Sequence, residues 1–462
     1  MKKTTPDTPI DFHGKRVLVM GLGLHGGGVG TVKFLVRHGA LVTVTDLRTR
    51  VVLQPSLTTL ASCPTVAYVL GEHREKDFTD TDLILKNPGV RPDSPYLAAA
   101  RAAGISVTTD LGIFFRICPA RIIGVTGTRG KSTTAWLIWK FLRTKKRRVY
   151  LGGNIRRSVL EFAESLRRGD TVVLELSSFQ LEDLRSERRS PHIAVMTNIL
   201  RDHLNWHPTM AAYQHAKEVI FAFQKKDDYL YINPNDTALR HMAEKTCAHV
   251  EAPAAPKKFL PLIDNRLGEH YRAAVGLAIA VARHERIPFG VIERVLASFR
   301  GLPARQEIIA SIGGVSFVND TTATVPDATI AALRRFRPRA REHALVLIAG
   351  GQDKKLDFTE FVRVVAEYVD VLILLPGTAT DSIRMMLAKK KDHTRLREIH
   401  DAKTMTDAID EAWRGRRAGD WIILSPGATS FGLFTNEFNR GDMFAEAVEK
   451  LKKTRRVPFA SL

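Results

Sequence analysis

Cysteine is scarce. Cys63, Cys118 and Cys247 are the three in 462 residues, and none stands at the close spacing of a metal or redox pair. Scattered single thiols argue against a disulfide framework and agree with a reducing compartment, where burial as small apolar groups is the expectation. Long apolar runs are also missing: nothing approaches the roughly 20 residues that a membrane span needs. The opening MKKTTPDTPIDFHGK has two lysines, but prolines and aspartates follow where a secretory leader would carry an apolar core. No low-complexity segment or fixed-period repeat is visible. These absences predict a cytoplasmic globular protein with no membrane insertion.

Acid is the scarcer charge. Asp and Glu number 49 against 69 Lys and Arg, a formal net charge of +20, which raises the local concentration of anionic partners such as nucleic acid or a polyanionic nucleotide. The basic clusters at 145–148, 334–341, 389–391 and 452–456 are short and separate, with Phe336 the one aromatic among them, so they read as solvated faces. No nucleic-acid partner is expected. Duplex binding that weakens steeply with salt would mark the contrary case.

The hydrophobic content is 44% and the length suits about three domains. The first opens with the strand-like KRVLVM, the turn GLGLHG, the helical pattern TVKFLVRHGA and a second strand, LVTVTD, ending at Asp46. This is a G-x-G-x-x-G fingerprint in strand, turn and helix context. Gly21 would allow the tight turn, Gly23 close approach of the backbone to phosphate, and Gly26 close packing of helix on strand. Alone it suggests a dinucleotide site with Asp46 on a ribose. A nicotinamide enzyme, however, has no use for a second phosphate loop.

That second loop is GVTGTRGKSTT, Gly124 to Thr134, between the strand RIIGV and the helix STTAWLIWKFLR. Amides around Gly127, Thr128 and Gly130 and the helix start, with Thr133, would wrap phosphates. Lys131 would reach the outer ones, and Ser132 would offer its hydroxyl to Mg²⁺. A strict P-loop has glycine where Val125 stands. Further strands RRVYLGG, TVVLEL, HIAVMTNI and DYLYIN alternate with helical patterns, as do VSFVND, HALVLIAGG, VDVLILLPG, LREIH and DWIILSPGA after Gly301. The expected fold is α/β in three domains: Rossmann-like over 1–116, a P-loop ATPase-like parallel sheet over 117–300, and Rossmann-like over 301–462.

Taken in order, GLGLHG, NPGV (Asn87 to Val90), TGTRGKST, LELSSFQLE (Leu174 to Glu182), TNILRDHLNWH and GLPAR (Gly301 to Arg305) resemble the Mur ligase family over nearly the whole chain. That family writes its phosphate loop TG-x-x-GK[ST], which accounts for Val125. GLGLHG and LELSSFQLE look like its D-glutamate-adding branch. The resemblance implies an ATP-dependent amide ligase of peptidoglycan precursor synthesis, joining D-glutamate to UDP-N-acetylmuramoyl-L-alanine through an acyl phosphate. It further implies two Mg²⁺ ions and a monomer. A Mur-type ligase for another amino acid is the alternative.

Carried over residue by residue, the resemblance places Gly23, Leu24, His25, Asp46, Arg48, Asn87, Gly89, Asn154, Ser177 and Gln180 at the UDP sugar, and Arg305 and Asp320 beside the phosphate loop's nucleotide. Lys131, Glu175, His203 and Lys217 would carry catalysis, the last three and Ser132 serving the metals if Lys217 is carbamylated. Thr324, Lys354 and Ser430 would hold the amino acid. Four departures stand out. His270 is followed by Tyr271, and Ala274 replaces an asparagine; Gly112 stands where glutamate is usual; the expected phenylalanine beyond Ser430 is shifted to Phe438; and Asp320-Thr321-Thr322-Ala323-Thr324 has Thr322 in place of a lysine that contacts the amino acid's carboxylate.

Overall fold

The computed structural model describes residues 11–24, 26–145, 148–155, 158–203, 206–299, 301–354, 356–389, 395–430 and 432–455. His25 lies outside them. Over these residues three sheets form, each with helices following its strands.

The first sheet holds β1 (Arg16–Met20), β2 (Leu41–Asp46), β3 (Ala67–Leu70), β4 (Leu83–Lys86) and β5 (Ser106–Thr108), all parallel in the order β3-β2-β1-β4-β5. Side chains alternate across a strand. In β1, Val17 and Val19 therefore enter one core with Val32 and Leu35, while Leu18 and Met20 enter another with Phe78 and Leu97. Both faces are buried, as a parallel sheet requires. The chain order reverses between β2-β1 and β4, so the ends of β1 and β4 frame a switch-point crevice.

The second sheet comprises β6 (Arg121–Thr126), β7 (Val149–Gly153), β8 (Thr171–Glu175), β9 (Ile193–Met196), β10 (Tyr229–Ile232) and β11 (His249–Glu251), parallel in the order β11-β10-β9-β6-β8-β7. It belongs with the first sheet to one compact unit that also takes in Tyr271–Ala297. Their cores are continuous: Phe114 and Phe162 meet edge to face at 5.9 Å.

The second unit comprises Ile263–His270 and the chain from Ser298. Its sheet holds β12 (Glu307–Ile312), β13 (Val315–Asn319), β14 (Leu345–Gly350), β15 (Val371–Leu375), β16 (Glu398–Asp401) and β17 (Trp421–Leu424), ordered β12-β13-β17-β14-β15-β16. Two cores lie on its two faces, Leu345 and Leu347 in one and Val346 and Ile348 in the other. β12 was not expected. It pairs antiparallel with β13 through Gly313 and Gly314, both at positive φ, as a two-residue hairpin demands.

Candidate active site

The phosphate loop follows β6, and the helix Lys131–Arg143 begins directly after it, with Gly130 as its left-handed N-cap. Thr197 and Asn198, at the end of β9, hold the loop's shape. Asn198 accepts from the amides of Thr128, through its carbonyl, and of Arg129, through its side chain. Gly127 sits at φ 145°, and a Cβ there would fall 1.9 Å from the Thr197 hydroxyl, so the loop tolerates no side chain at that point. Thr128 spends its hydroxyl internally, donating to Leu200 O at 3.2 Å and meeting the Tyr213 hydroxyl at 3.1 Å. Its part is to shape the loop. Thr133 is buried under the helix start, and Ser132 is half-buried.

Two lysine side chains converge on one carbonyl. Lys131 Nζ donates to Gly127 O and Thr128 O at 3.0 Å each. From the helix Met210–Ala222, Lys217 Nζ donates to the same Gly127 O at 3.0 Å and to Thr126 Oγ1 at 3.4 Å. Lys217 is 1% exposed. Burial first, and then repulsion from Lys131, hold its pKa well below the usual lysine value, against the pull of Asp202 and Glu175. A neutral amine is thereby favoured.

Glu175 ends β8, where the register sets it beside Val125 of β6 and Gly153 of β7. Its Oε1 accepts from Asn154 Nδ2 at 3.0 Å, whereas its buried Oε2 has no hydrogen-bond partner among the described residues. An unsatisfied buried carboxylate oxygen is costly unless something occupies it. One hard oxygen beside a phosphate loop fits Mg²⁺, which takes few protein ligands and completes its shell from phosphate and water. Among the described residues no three His, Cys, Asp or Glu side chains form a metal cluster on their own. His203 has positive φ, 56°, and its ring stands edge-on to Phe179 at 4.9 Å, with Nε2 3.6 Å from Asp202.

The joint between Asn154 and Glu175 depends on Gly153, whose φ is 94° and whose Cβ would lie 2.1 Å from the Glu175 carbonyl. Gly153→Ala is expected to cost about 2 kcal/mol of stability or more, from left-handed strain plus the clash. A thermal unfolding midpoint within a degree of the parent's would contradict this.

At the ends of β1 and β4 the second candidate site takes shape. Asp46 is 4% exposed. Its Oδ2 accepts from the amides of Leu22 and Gly23 at 2.9 and 3.2 Å, and its Oδ1 from the amide of Arg48 at 2.9 Å. It ties the glycine turn to the β2 end, where Leu47 is 64% exposed. Asn87 caps its own turn by accepting from Gly89 N at 3.0 Å, with its amide nitrogen facing Gly23. Leu24 packs against the core. Ser177 and Gln180 form a reciprocal capping box on the helix Ser178–Leu184. The same helix carries Asp183, whose buried ion pair with Lys86 at 2.7 Å fixes it against the Asn87 turn. At Gly112, where glutamate is usual, Glu187 lies 2.8 Å from where a Cβ would sit, its carboxylate accepting from Thr108 at 3.0 Å and Arg116 Nη2 at 2.8 Å.

In the second unit the ends of β13, β17 and β14 are neighbours. Gln352 and Thr429 form a two-bond bridge at 3.0 and 3.1 Å, which places the half-buried Lys354 on a segment joined to that of Ser430. Gly427 N donates to Ala323 O at 2.9 Å, bringing in the segment of Thr324. Arg305 is presented between Ala304 and Gln306, both at positive φ. The Thr322 hydroxyl donates to Ala304 O at 3.0 Å, so the residue in the lysine position braces the Arg305 turn. Asp320, 5% exposed, accepts from Gln306 N at 3.0 Å and from the Ser425 hydroxyl at 2.8 Å, which occupies both its oxygens internally. Ala274 and His270, the departures of the helix region, take structural roles. Ala274 O accepts from Thr134 at 3.4 Å, and His270 meets the Gln306 amide at 3.3 Å.

Burial pushes the Asp320 carboxyl up to about 7, with the hydrogen bonds from Ser425 and Gln306 opposing. In the folded protein it stays protonated where the unfolded chain, near 3.8, has lost its proton. Its stabilising effect is thus present at low pH and disappears as pH rises from about 4 through about 7. The stability difference between the protein and D320N should shift against the parent over that window by on the order of a few kcal/mol. Denaturant midpoints for the two that run parallel from pH 5 to 8 would contradict it.

Sequence reasoning overlooked Tyr213, Thr197, Asn198 and Glu187. Thr197 and Asn198 were findable as polar residues ending a strand beside the phosphate loop; the other two depend on contacts between segments remote in sequence.

Comparison with known proteins accords with this layout. Models described as Mur ligase MurD-like, N-terminal domain, Mur ligase middle domain, and Mur ligase, glutamate ligase domain match residues 15–109, 125–258 and 304–427. The UDP-N-acetylmuramoylalanine--D-glutamate ligase of Roseiflexus sp. (strain RS-1) is 41% identical, covering 95% of this chain and 99% of its own. That of Borreliella afzelii is 33% identical, covering 94% and 97%. Among solved structures, a murein peptide ligase from Psychrobacter arcticus aligns with TM-score 0.56 at 15% identity, over 97% of this chain and 100% of its own. A MurF ligase from Thermotoga maritima in complex with ADP aligns at 0.54 and 15%, over 96% of each; both show the same fold. The chain belongs to the Mur ligase family.

Proposed function

We propose that this ligase joins the amine of D-glutamate to the alanyl carboxylate of UDP-N-acetylmuramoyl-L-alanine, a step of peptidoglycan precursor synthesis, with ATP converted to ADP and phosphate. The observation that carries the reading is the convergence of Lys131, Lys217 and the orphaned Glu175 oxygen around one phosphate loop, in a chain that matches D-glutamate ligases almost end to end. A carboxylate does not condense with an amine in water. Phosphorylation makes its oxygen a leaving group.

In the first step an oxygen of the alanyl carboxylate bonds to the γ-phosphorus as the bond to the β,γ-bridging oxygen breaks, giving an acyl phosphate and ADP. In the second the glutamate amine adds to the acyl carbon, phosphate leaves, and the nitrogen loses a proton. The loop amides and Lys131 position the phosphates and offset their charge. Glu175 and Ser132 would hold one Mg²⁺, and His203 with Lys217, if carbamylated, a second; bound there, the ions would supply charge neutralisation for the phosphoryl group. Asn154 fixes the Glu175 carboxylate. Gly23, Leu24, Asp46, Arg48, Asn87 and Gly89, with Ser177 and Gln180, hold the UDP sugar. Arg305, from its strained turn, and Asp320, through the loop it braces, serve the nucleotide. Thr324, Lys354 and Ser430 hold D-glutamate, the Lys354 ammonium pairing with a carboxylate.

The proposed domains are 1–116, 117–300 and 301–462, in a cytoplasmic monomer. Among the described residues no helix is long and apolar enough to cross a membrane. A second reading, a ligase for a different amino acid, draws on Thr322, which is bonded to Ala304 and brings no cation to that position. Phosphate release with ATP, Mg²⁺ and UDP-N-acetylmuramoyl-L-alanine across D- and L-amino acids, with product mass, separates the two. Release with D-glutamate alone supports the first reading, release with another amino acid the second. No turnover with any of them would overturn both.

A further inference from the structure

Among the described residues Arg440 is the largest fully buried side chain, at 0% exposure. It lies in the first turn of the helix Glu437–Arg455. Its Nε donates to Thr321 Oγ1 at 3.1 Å, Nη2 to Thr321 O at 2.8 Å, and Nη1 to Ala428 O at 3.1 Å. All three acceptors are neutral. Burial lowers its pKa to about 10, with Glu437 and Asp320 pulling the other way, so the guanidinium remains charged at neutral pH.

The surroundings are built around this fork. Thr321 Oγ1 donates to Glu437 O at 2.6 Å, and Asn319 Nδ2 to Gly441 O at 3.1 Å. A Cβ on Gly441 would fall 2.5 Å from the Thr321 methyl, so the helix start lies hard against the 319–321 segment. Ala428 belongs to the other segment, two residues before Ser430. A buried charge that has only neutral acceptors is a poor way to gain stability compared with an apolar side chain of similar volume. What a planar five-donor fork can do, and an apolar side chain cannot, is set the spacing of two backbone segments while keeping a positive charge close behind them.

We propose that Arg440 is a positioning residue of the amino-acid subsite, its guanidinium locking the Thr324-bearing segment to the Ser430-bearing segment and lending its charge to the recognition of an acidic amino acid. This rests on the placement of D-glutamate at Thr324, Lys354 and Ser430. Arg440 itself, fully buried, does not touch the substrate. Lys354 offers a cation from the accessible side, and Arg440 supplies a second one from within.

Steady-state kinetics of the full chain decide it, with R440M, R440K, T321V and K354A each assayed for KM of D-glutamate, ATP and UDP-N-acetylmuramoyl-L-alanine. R440M is expected to raise the D-glutamate KM by about tenfold or more, while the other two KM values move less than about twofold. R440K, which keeps the charge and loses the fork, should raise it by about threefold or more, as should T321V, which removes one acceptor. If K354A raises the D-glutamate KM and R440M does not, or if R440M changes all three KM values alike, the inference is wrong. If K354A also leaves that KM at the parent value, the placement of the subsite fails and the inference falls with it. Should R440M not fold, parent-like D-glutamate KM values for both R440K and T321V overturn the proposal.

Discussion

Lys131→Met is expected to reduce ligase turnover by roughly 10²- to 10³-fold, the usual consequence of deleting one preorganised charge from a phosphoryl-transfer site, while leaving the fold at least as stable as before. The two halves of this expectation have different causes. As the structure stands, the Lys131 ammonium bonds the carbonyls of Gly127 and Thr128, which keeps it at the loop where triphosphate oxygens would replace those carbonyls. Methionine has nearly the same length but no charge, so the phosphates lose a cation without loss of packing. On the stability side, Lys131 and Lys217 crowd the same Gly127 carbonyl, and Lys131 is one of the causes that depress the Lys217 pKa. Removing the Lys131 charge lifts the penalty it places on protonated Lys217. The combination is diagnostic: turnover within tenfold of the parent would remove Lys131 from the mechanism, and a marked fall in the unfolding midpoint would make it a structural brace.

How far this could be read from residues alone depends on how local each feature is. The alternation of RVLVM, which divides β1 between two cores, is a property of five consecutive residues. So is the turn that starts a helix at Lys131. Such features are legible because the backbone geometry that produces them is local. The β12–β13 hairpin was also local, and Gly313-Gly314 was its signal; the expectation of a repeated parallel sheet hid it. Arg440 is a different matter. It lies 119 residues from Thr321, and nothing in NEFNRGD distinguishes a fully buried guanidinium from a solvated one on a helix surface. Glu187 filling the space beside Gly112 is equally invisible, since a glycine at one position does not say which distant side chain packs against it. The candidate residues were therefore readable as types, while the internal hydrogen bonds that occupy Thr128, Asp320 and Thr322 were not.

Lys217 separates two chemistries that share one geometry. As a cation it would brace the phosphate loop, through bonds at 3.0 and 3.4 Å to Gly127 O and Thr126 Oγ1 and with Nζ 4.8 Å from the Tyr213 ring centre. As a carbamate it would be an anion bearing two oxygens for a metal. Carbamate formation starts from the neutral amine attacking CO₂, and a burial-depressed pKa supplies that neutral form at lower pH than a solvated lysine would. Both Lys217→Arg and Lys217→Met are expected to lose roughly 10²-fold or more in turnover if the carbamate is required, because arginine keeps the charge and donors but cannot form it. Under the brace reading only Lys217→Met should fail. A CO₂ dependence gives the independent check: turnover should fall in CO₂-free buffer, recover with bicarbonate, and need more bicarbonate as pH drops and the amine protonates. An active Lys217→Arg variant with no response to bicarbonate would assign Lys217 to the loop and leave the second metal without its proposed ligand.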